Sequence, residues 1–149
     1  MNQNTALQIV ANRVLPALSG CPLTYVEEKN LFLTPGYTSS AGNTYFKTLR
    51  VTDHLVVVCE VGKGYAYTFL NAITLYCWDG NKKTLIGRRV WGGCNWVCYS
   101  ERFVREQSII ILRDYLKAEM KLAGQYANDD DINDFARQIV IAGEPKQLR

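Results

Sequence analysis

Aromatic and basic side chains alternate along one short stretch of the chain, and such residues are well suited to contact a binding partner. Two strand-like runs flank the sequence Asp79-Gly80-Asn81-Lys82. Gly-Asn at the centre favours a tight two-residue turn, so the sequence predicts a β-hairpin. Because side chains alternate between the two faces of a strand, this hairpin is expected to present the following residues on one face, together with Leu85: Tyr76, Trp78, Lys83, Arg89 and Trp91.

The expected register follows from counting outward from the turn. The cross-strand pairs are then Trp78–Lys83, Tyr76–Leu85, Thr74–Gly87 and Ala72–Arg89. The opposite face is more aliphatic and is predicted to face the core: Ile73, Leu75, Cys77, Thr84, Ile86, Arg88 and Val90. Arg88 fits this face poorly, because a buried charge needs a partner or a place at the edge.

The rings and cations of the first face have three interpretations. In the first interpretation they are packing residues, with Trp78 and Lys83 as a cation–π pair and Trp91 beneath a helix. In the second they form a protein-binding or dimer face, since exposed aromatic residues and arginine mark interfaces. Finally, they bind single-stranded nucleic acid, since bases stack on rings and cations neutralise phosphates. Where the face does have a function, we predict contact with a protein partner or a second copy, with nucleic acid as the alternative.

A further alternative is a small ligand-binding protein or enzyme with a pocket inside a curled sheet. Tyr65, Tyr67 and Asn71 are candidates to line such a pocket. The sequence assigns them no chemical role.

Residues suited to catalysis or metal binding are sparse. The single histidine, His54, opens an apolar run, where a capping or surface role is commoner than catalysis. Cys59 and Cys77 lie in apolar runs and are predicted to be reduced, buried thiols. Cys94 and Cys98 are also predicted to be packing residues, and no CxxC pair is present to hold zinc. We therefore expect no catalytic residue, no metal and no cofactor, and a non-enzymatic protein.

Charge is unevenly distributed along the 149 residues, although the net charge is only +3. Residues 80–105 contain one acid, Glu101, and these bases: Lys82, Lys83, Arg88, Arg89, Arg102 and Arg105. This region is a candidate anion-facing surface on an otherwise nearly neutral protein.

Targeting signals are weak. Leu18-Ser19-Gly20-Cys21 fits a bacterial lipoprotein cleavage box, but residues 1–12 contain no Lys or Arg. Asn12 and Arg13 also interrupt the apolar run that such a signal requires. We therefore predict a cytoplasmic protein with no membrane contact, with the lipoprotein as a minor alternative.

The elements that must position these residues are a sheet and several helices. Helical spacing predicts a first helix over residues 5–18, which Pro16 ends or kinks. Strand-like runs begin near Thr44, and the run over residues 55–61 is apolar enough for a central strand. Ser100 is a good cap for a long helix over residues 101–123, and Asp131 resembles the cap of a last helix.

The expected fold is a single α+β domain. It comprises an N-terminal helix, a curled antiparallel sheet of four to five strands, and two C-terminal helices packed on the sheet. The predicted parts are an N-terminal helix and loop-rich segment over residues 1–43, the sheet over 44–99, the helical part over 100–143 and a tail over 144–149.

Overall fold

An antiparallel sheet with helices on one side forms the described part of the chain. The computed structural model describes residues 3–14, 44–52, 54–63, 68–78, 83–91 and 97–142. Within them the helices are α1 (Gln3–Val14), α2 (Glu101–Leu122) and α3 (Asp129–Ala142). The strands are β1 (Thr44–Arg50), β2 (Leu55–Lys63), β3 (Thr68–Trp78) and β4 (Lys83–Val90). The α+β class is confirmed.

The sheet is a meander in the order β1-β2-β3-β4, with every neighbouring pair antiparallel. We call its two sides the inner face, against which the helices pack, and the outer face, which is the opposite side. Successive residues of β2 alternate between these faces, yet Val56, Val57 and Cys59 are all completely buried. The expected central strand, covered on both faces, is therefore confirmed.

The main core lies between the inner face and the helices. Apolar side chains from the three helices and from the strands form one cluster, in which Leu7 of α1, Ile73 of β3 and Leu112 of α2 are almost completely buried. A second, smaller cluster on the outer face joins Val56, Val58 and Trp78.

Local capping sets the ends of the long helix. The Ser100 hydroxyl accepts a hydrogen bond from the Phe103 N–H, as the sequence predicts for an N-cap. Gly124 has a φ of 68°, and the N–H groups of Gly124 and Gln125 donate to the carbonyls of Lys121 and Met120. This is a Schellman ending, for which glycine is favoured because it adopts a positive φ without strain.

The last helix begins three residues before the position expected from the sequence. The Asn128 side chain accepts a hydrogen bond of 2.8 Å from the Asp131 N–H, so Asn128 caps the helix and Asp131 lies in its first turn. The prediction of Asp131 as the cap was wrong, because asparagine is an equally good cap and comes first.

A fifth strand is present only as a short bridge. The Leu70 N–H donates to the Val97 carbonyl, the Tyr99 N–H donates to Thr68, and Phe69 is bridged to Cys98. Residues 97–99 thus continue the edge of β3 beyond the end of β4. The predictions for the loop-rich segment, the Leu18–Cys21 box, the Gly80-Asn81 turn and the polar tail lie outside the described residues.

Candidate functional site

A β-bulge in β4 changes the register on which the predicted face depends. Next to the turn, Trp78 is paired with Lys83 and Tyr76 with Leu85, as expected. The next pair, however, is Leu75 with Gly87, so Ile86 is an extra residue in β4. An extra residue reverses the alternation of side chains beyond it. The expected pairs Thr74–Gly87 and Ala72–Arg89 were therefore wrong.

The bulge moves Arg89 and Trp91 to the inner face. Arg89 is paired with Ile73, an inner-face residue, and its guanidinium lies 6.0 Å from the Trp91 ring. Trp91 packs against the Phe103 ring of α2, with a centroid distance of 5.5 Å, and adjoins the main core. The five predicted site residues therefore do not share one face, although the packing of Trp91 beneath a helix agrees with one of the interpretations above.

The same bulge places Arg88 on the outer face, where its charge has partners. Arg88 is paired with Thr74, and its Nη1 donates to the Thr74 hydroxyl at 3.2 Å. The same nitrogen forms an ion pair with the Glu60 carboxylate on β2. Glu60, Thr74 and Arg88 thus form a row of polar contacts across β2, β3 and β4. The sequence assigned Arg88 to the core face, and this row provides the partners that its charge needs.

Gly87 is the residue that allows α2 to approach the bulge. A Cβ atom built at Gly87 would lie 2.6 Å from Cγ2 of Ile111. Only glycine leaves room for this isoleucine, so β4 and α2 pack closely at this point. The interior glycine and the misplaced Arg88 were the two sequence signals for a bulge.

Tyr76, Trp78 and Lys83 remain together on the outer face, but with unequal exposure. Trp78 is only 4% exposed and packs with Val56 and Val58. The Lys83 ammonium lies 5.0 Å from the centre of the Tyr76 ring, the diagonal neighbour, and Tyr76 packs against the Trp78 cluster. Lys83 thus makes a cation–π contact with Tyr76.

Two aliphatic residues complete an exposed surface that the sequence did not single out. Leu85 and Val90 lie on the outer face of β4 and are 58% and 64% exposed. We call the surface formed by Tyr76, Lys83, Leu85, Arg88 and Val90 the outer strip. It combines an aromatic ring, two cations and two aliphatic side chains on one strand and its neighbour. Arg88 and Val90 were missed because the unbulged register assigned them to the core face.

His54 has a structural role at the end of the hairpin. Its Nδ1 lies 3.1 Å from the Trp78 carbonyl, which can only accept, so the ring donates from that nitrogen. The Trp78 N–H donates to the His54 carbonyl, and the Thr52 hydroxyl accepts from the N–H groups of His54 and Leu55. The two hydrogen bonds between His54 and Trp78 therefore connect the end of β3 to the turn between β1 and β2.

The cysteines fall into two environments. Cys59 and Cys77 are buried, as expected, and burial raises the pKa of the Cys59 thiol to about 12 despite the nearby Lys47. Cys98 is exposed, so its prediction as a packing residue was wrong. Cys94 lies outside the described residues.

Helices and the connection between α2 and α3 line two cavities in the described part of the chain. One of about 470 Å³ lies at the α2–α3 connection beside Met120 and Tyr126, and one of about 350 Å³ lies beside Arg105 and Ile141. Of the predicted pocket residues, Asn71 is the bulged residue of β3, and Tyr65 and Tyr67 lie outside the described residues. In the described ranges, no group of three or more His, Cys, Asp or Glu residues is arranged to hold a metal ion.

No protein-family model, curated protein or solved structure matches this chain. Among the helices that the structure describes, none combines the length and the apolar character needed to cross a membrane.

Proposed function

We propose that this protein is a non-enzymatic binding or accessory protein that contacts a protein partner through the outer strip. The observation that carries the proposal is the exposure of Leu85 and Val90 on the same face of one edge strand. Both side chains are large, aliphatic and more than half exposed, and they lie beside Tyr76 and Arg88. Protein interfaces have the same mixture of apolar, aromatic and arginine side chains.

The distribution of cations favours a protein partner over nucleic acid. Arg88 is already paired with Glu60, and Arg89 lies on the inner face beside Trp91. Arg105 donates to the Val51 carbonyl at the end of β1. A nucleic-acid strand needs cations that follow one continuous path, whereas these three cations are separated and engaged with other groups.

Photo-crosslinking from position 85 tests the proposal. A photoreactive phenylalanine at Leu85 should crosslink to a protein in an extract of cells that produce this chain. Excess unlabelled wild-type protein should compete for the crosslink, whereas the Leu85→Glu/Val90→Glu double variant should not. The same photoreactive residue at Ile9, exposed on α1, is the matched control.

Competition separates specific binding from capture by chance. Both residues are exposed, so the double variant is expected to fold, which circular dichroism and thermal unfolding check. Equal competition by wild type and double variant would remove the outer strip as the binding surface. A crosslinked product that nuclease destroys would instead favour the nucleic-acid alternative.

A further inference from the structure

The edge of β4 that faces away from β3 presents backbone groups that can pair with another strand. The Trp91 N–H donates to the Asn71 carbonyl on β3 at 2.8 Å. Since successive backbone groups of a strand point to opposite sides, those of Val90 and Arg88 point away from β3. Among the residues that the structure describes, β4 has no strand on that side. An exposed edge of this kind is a template for strand addition.

The charge of this edge discriminates between possible occupants. Residues 83–91 contain the cations Lys83, Arg88 and Arg89 and no acid. The ion pair with Glu60 offsets the charge of Arg88, so Lys83 and Arg89 carry the net charge of this edge. A second copy paired through β4 would bring cations against cations, and like charges placed opposite each other are destabilising. The same charges attract an acidic segment, so this edge rejects its own copy and selects for carboxylates.

The outer face adds an apolar component to the recognition. Arg88 and Val90, whose backbone groups point to this edge, both carry their side chains on the outer face. An added strand would place alternate side chains on that face beside Leu85 and Val90, where apolar side chains would cover them.

We propose that β4 receives an extended, acidic segment of a partner protein by strand addition. Apolar side chains of that segment lie against Leu85 and Val90, and its carboxylates lie near Lys83 on the outer face and Arg89 on the inner face. This inference rests on the proposed function, since it names the kind of partner that the outer strip contacts.

Synthetic peptides test the inference directly. The probe is a fluorescent ten-residue peptide in which two Val residues alternate with two Glu residues, so that each face of the added strand carries both residue types. The matched peptide has Lys in place of Glu. The Glu peptide should bind with amide chemical-shift changes concentrated in residues 83–91, and its affinity should fall at least tenfold between 50 and 300 mM salt. The Lys peptide should not bind measurably.

A modified peptide tests for backbone pairing, and charge-reversed variants of the protein test the contribution of the cations on β4. N-methylation of alternate residues of the Glu peptide removes N–H donors along one edge and should abolish binding, although the side chains are retained. Lys83→Glu/Arg89→Glu should weaken binding at least tenfold. Arg13→Glu/Lys121→Glu, which makes the same change of charge on exposed helical positions, should weaken it less than twofold.

The possible failures are distinguishable. Equal binding of the N-methylated peptide, or chemical-shift changes outside β4, would overturn strand addition. Reversible dimers that sedimentation detects and that Leu85→Glu/Val90→Glu abolishes would show a second copy as the occupant. If the Glu peptide fails to bind while crosslinking from position 85 is still competed only by the wild type, this inference falls and the proposed function stands.

Discussion

The two faces of the sheet use the same strands for different purposes. The inner face packs against α2 and shares one large core with side chains of all three helices. The outer face has a small cluster around Trp78, a row of polar partners through Glu60 and Arg88, and an exposed margin at Leu85 and Val90. Neighbouring residues therefore have contrasting environments, such as buried Cys59 and the ion-paired Glu60 that follows it. The difference teaches that burial in this sheet decreases toward the β4 edge of the outer face.

On each face a bulky side chain packs closely against a glycine, but the two contacts join different elements. On the outer face, the Phe69 ring lies over Gly62, its direct cross-strand partner, where a Cβ atom would overlap the ring. On the inner face, Ile111 reaches down to Gly87. The first contact is made within the sheet, whereas the second joins the sheet to a helix, so only the second sets how α2 sits on β4.

Trp78→Ala should cause the largest loss of stability and shows whether the outer face has a true core. Trp78 is 4% exposed, so truncation should lower the free energy of unfolding by about 3–5 kcal/mol, as measured by urea denaturation. Leu85→Ala on the same face is the control and should cost less than about 0.5 kcal/mol, because Leu85 is exposed. Similar small losses for both variants would show that the outer cluster is not packed.

Gly87→Ala should destabilise the inner face by about 1–3 kcal/mol, because the new methyl group meets Ile111. In a double-mutant cycle, Ile111→Ala should remove most of this cost, since it vacates the space that the methyl group needs. Gly124→Ala is the control: its cost comes from the positive φ and should be additive with Ile111→Ala. Additivity of the Gly87 and Ile111 changes would contradict the close approach.

Alkaline pH should weaken the protein through Cys59 on the inner face. Its thiol has its ordinary pKa of 9.0 in the unfolded chain and a pKa of about 12 in the folded protein, so between these values only the unfolded state releases the proton. Stability is thus fully present below pH 9 and should fall above it, by at most about 1.4 kcal/mol per pH unit. Urea titrations at pH 8 to 11 should show a steeper decline for wild type than for Cys59→Ala. Parallel declines would mean that water reaches this thiol.

Arg88→Met should have the smallest effect and tests the polar row of the outer face. The Arg88 side chain is about half exposed, so loss of the Glu60 ion pair should cost no more than about 1 kcal/mol, and less at high salt. Arg113→Met, which removes an exposed pair with the adjacent Asp114, should have no measurable effect. A more stable Arg88→Met protein would indicate that the outer face prefers an apolar residue at this position.

Most elements could be predicted from local signals. Ser100 and Gly124 mark the ends of α2, and the apolar run of β2 identifies the central strand. The two pairs of β3 and β4 nearest the turn also follow from the sequence, because a tight turn sets the register of the residues beside it.

The candidate site could be predicted only in part. Tyr76 and Lys83 lie before the bulge and kept their expected face, whereas Arg89 and Trp91 lie beyond it and did not. Val90 was assigned to the core face for the same reason, and the exposure of Trp78 depends on neighbours from other strands. The alternation of apolar and polar residues along a strand does not show where an extra residue is inserted, because packing against other elements of the fold sets that position.

By itself, the sequence determined the alternation of side chains within each uninterrupted strand and the ends of the long helix, because these depend on bonded neighbours and on capping groups within a few residues. Tertiary structure decided which side chains share the outer strip. Ile111 of α2, 24 positions after Gly87, packs against that glycine next to the extra residue in β4. The bulge beside this long-range contact changes the face of every β4 side chain that follows, and the regular alternation of side chains does not predict it.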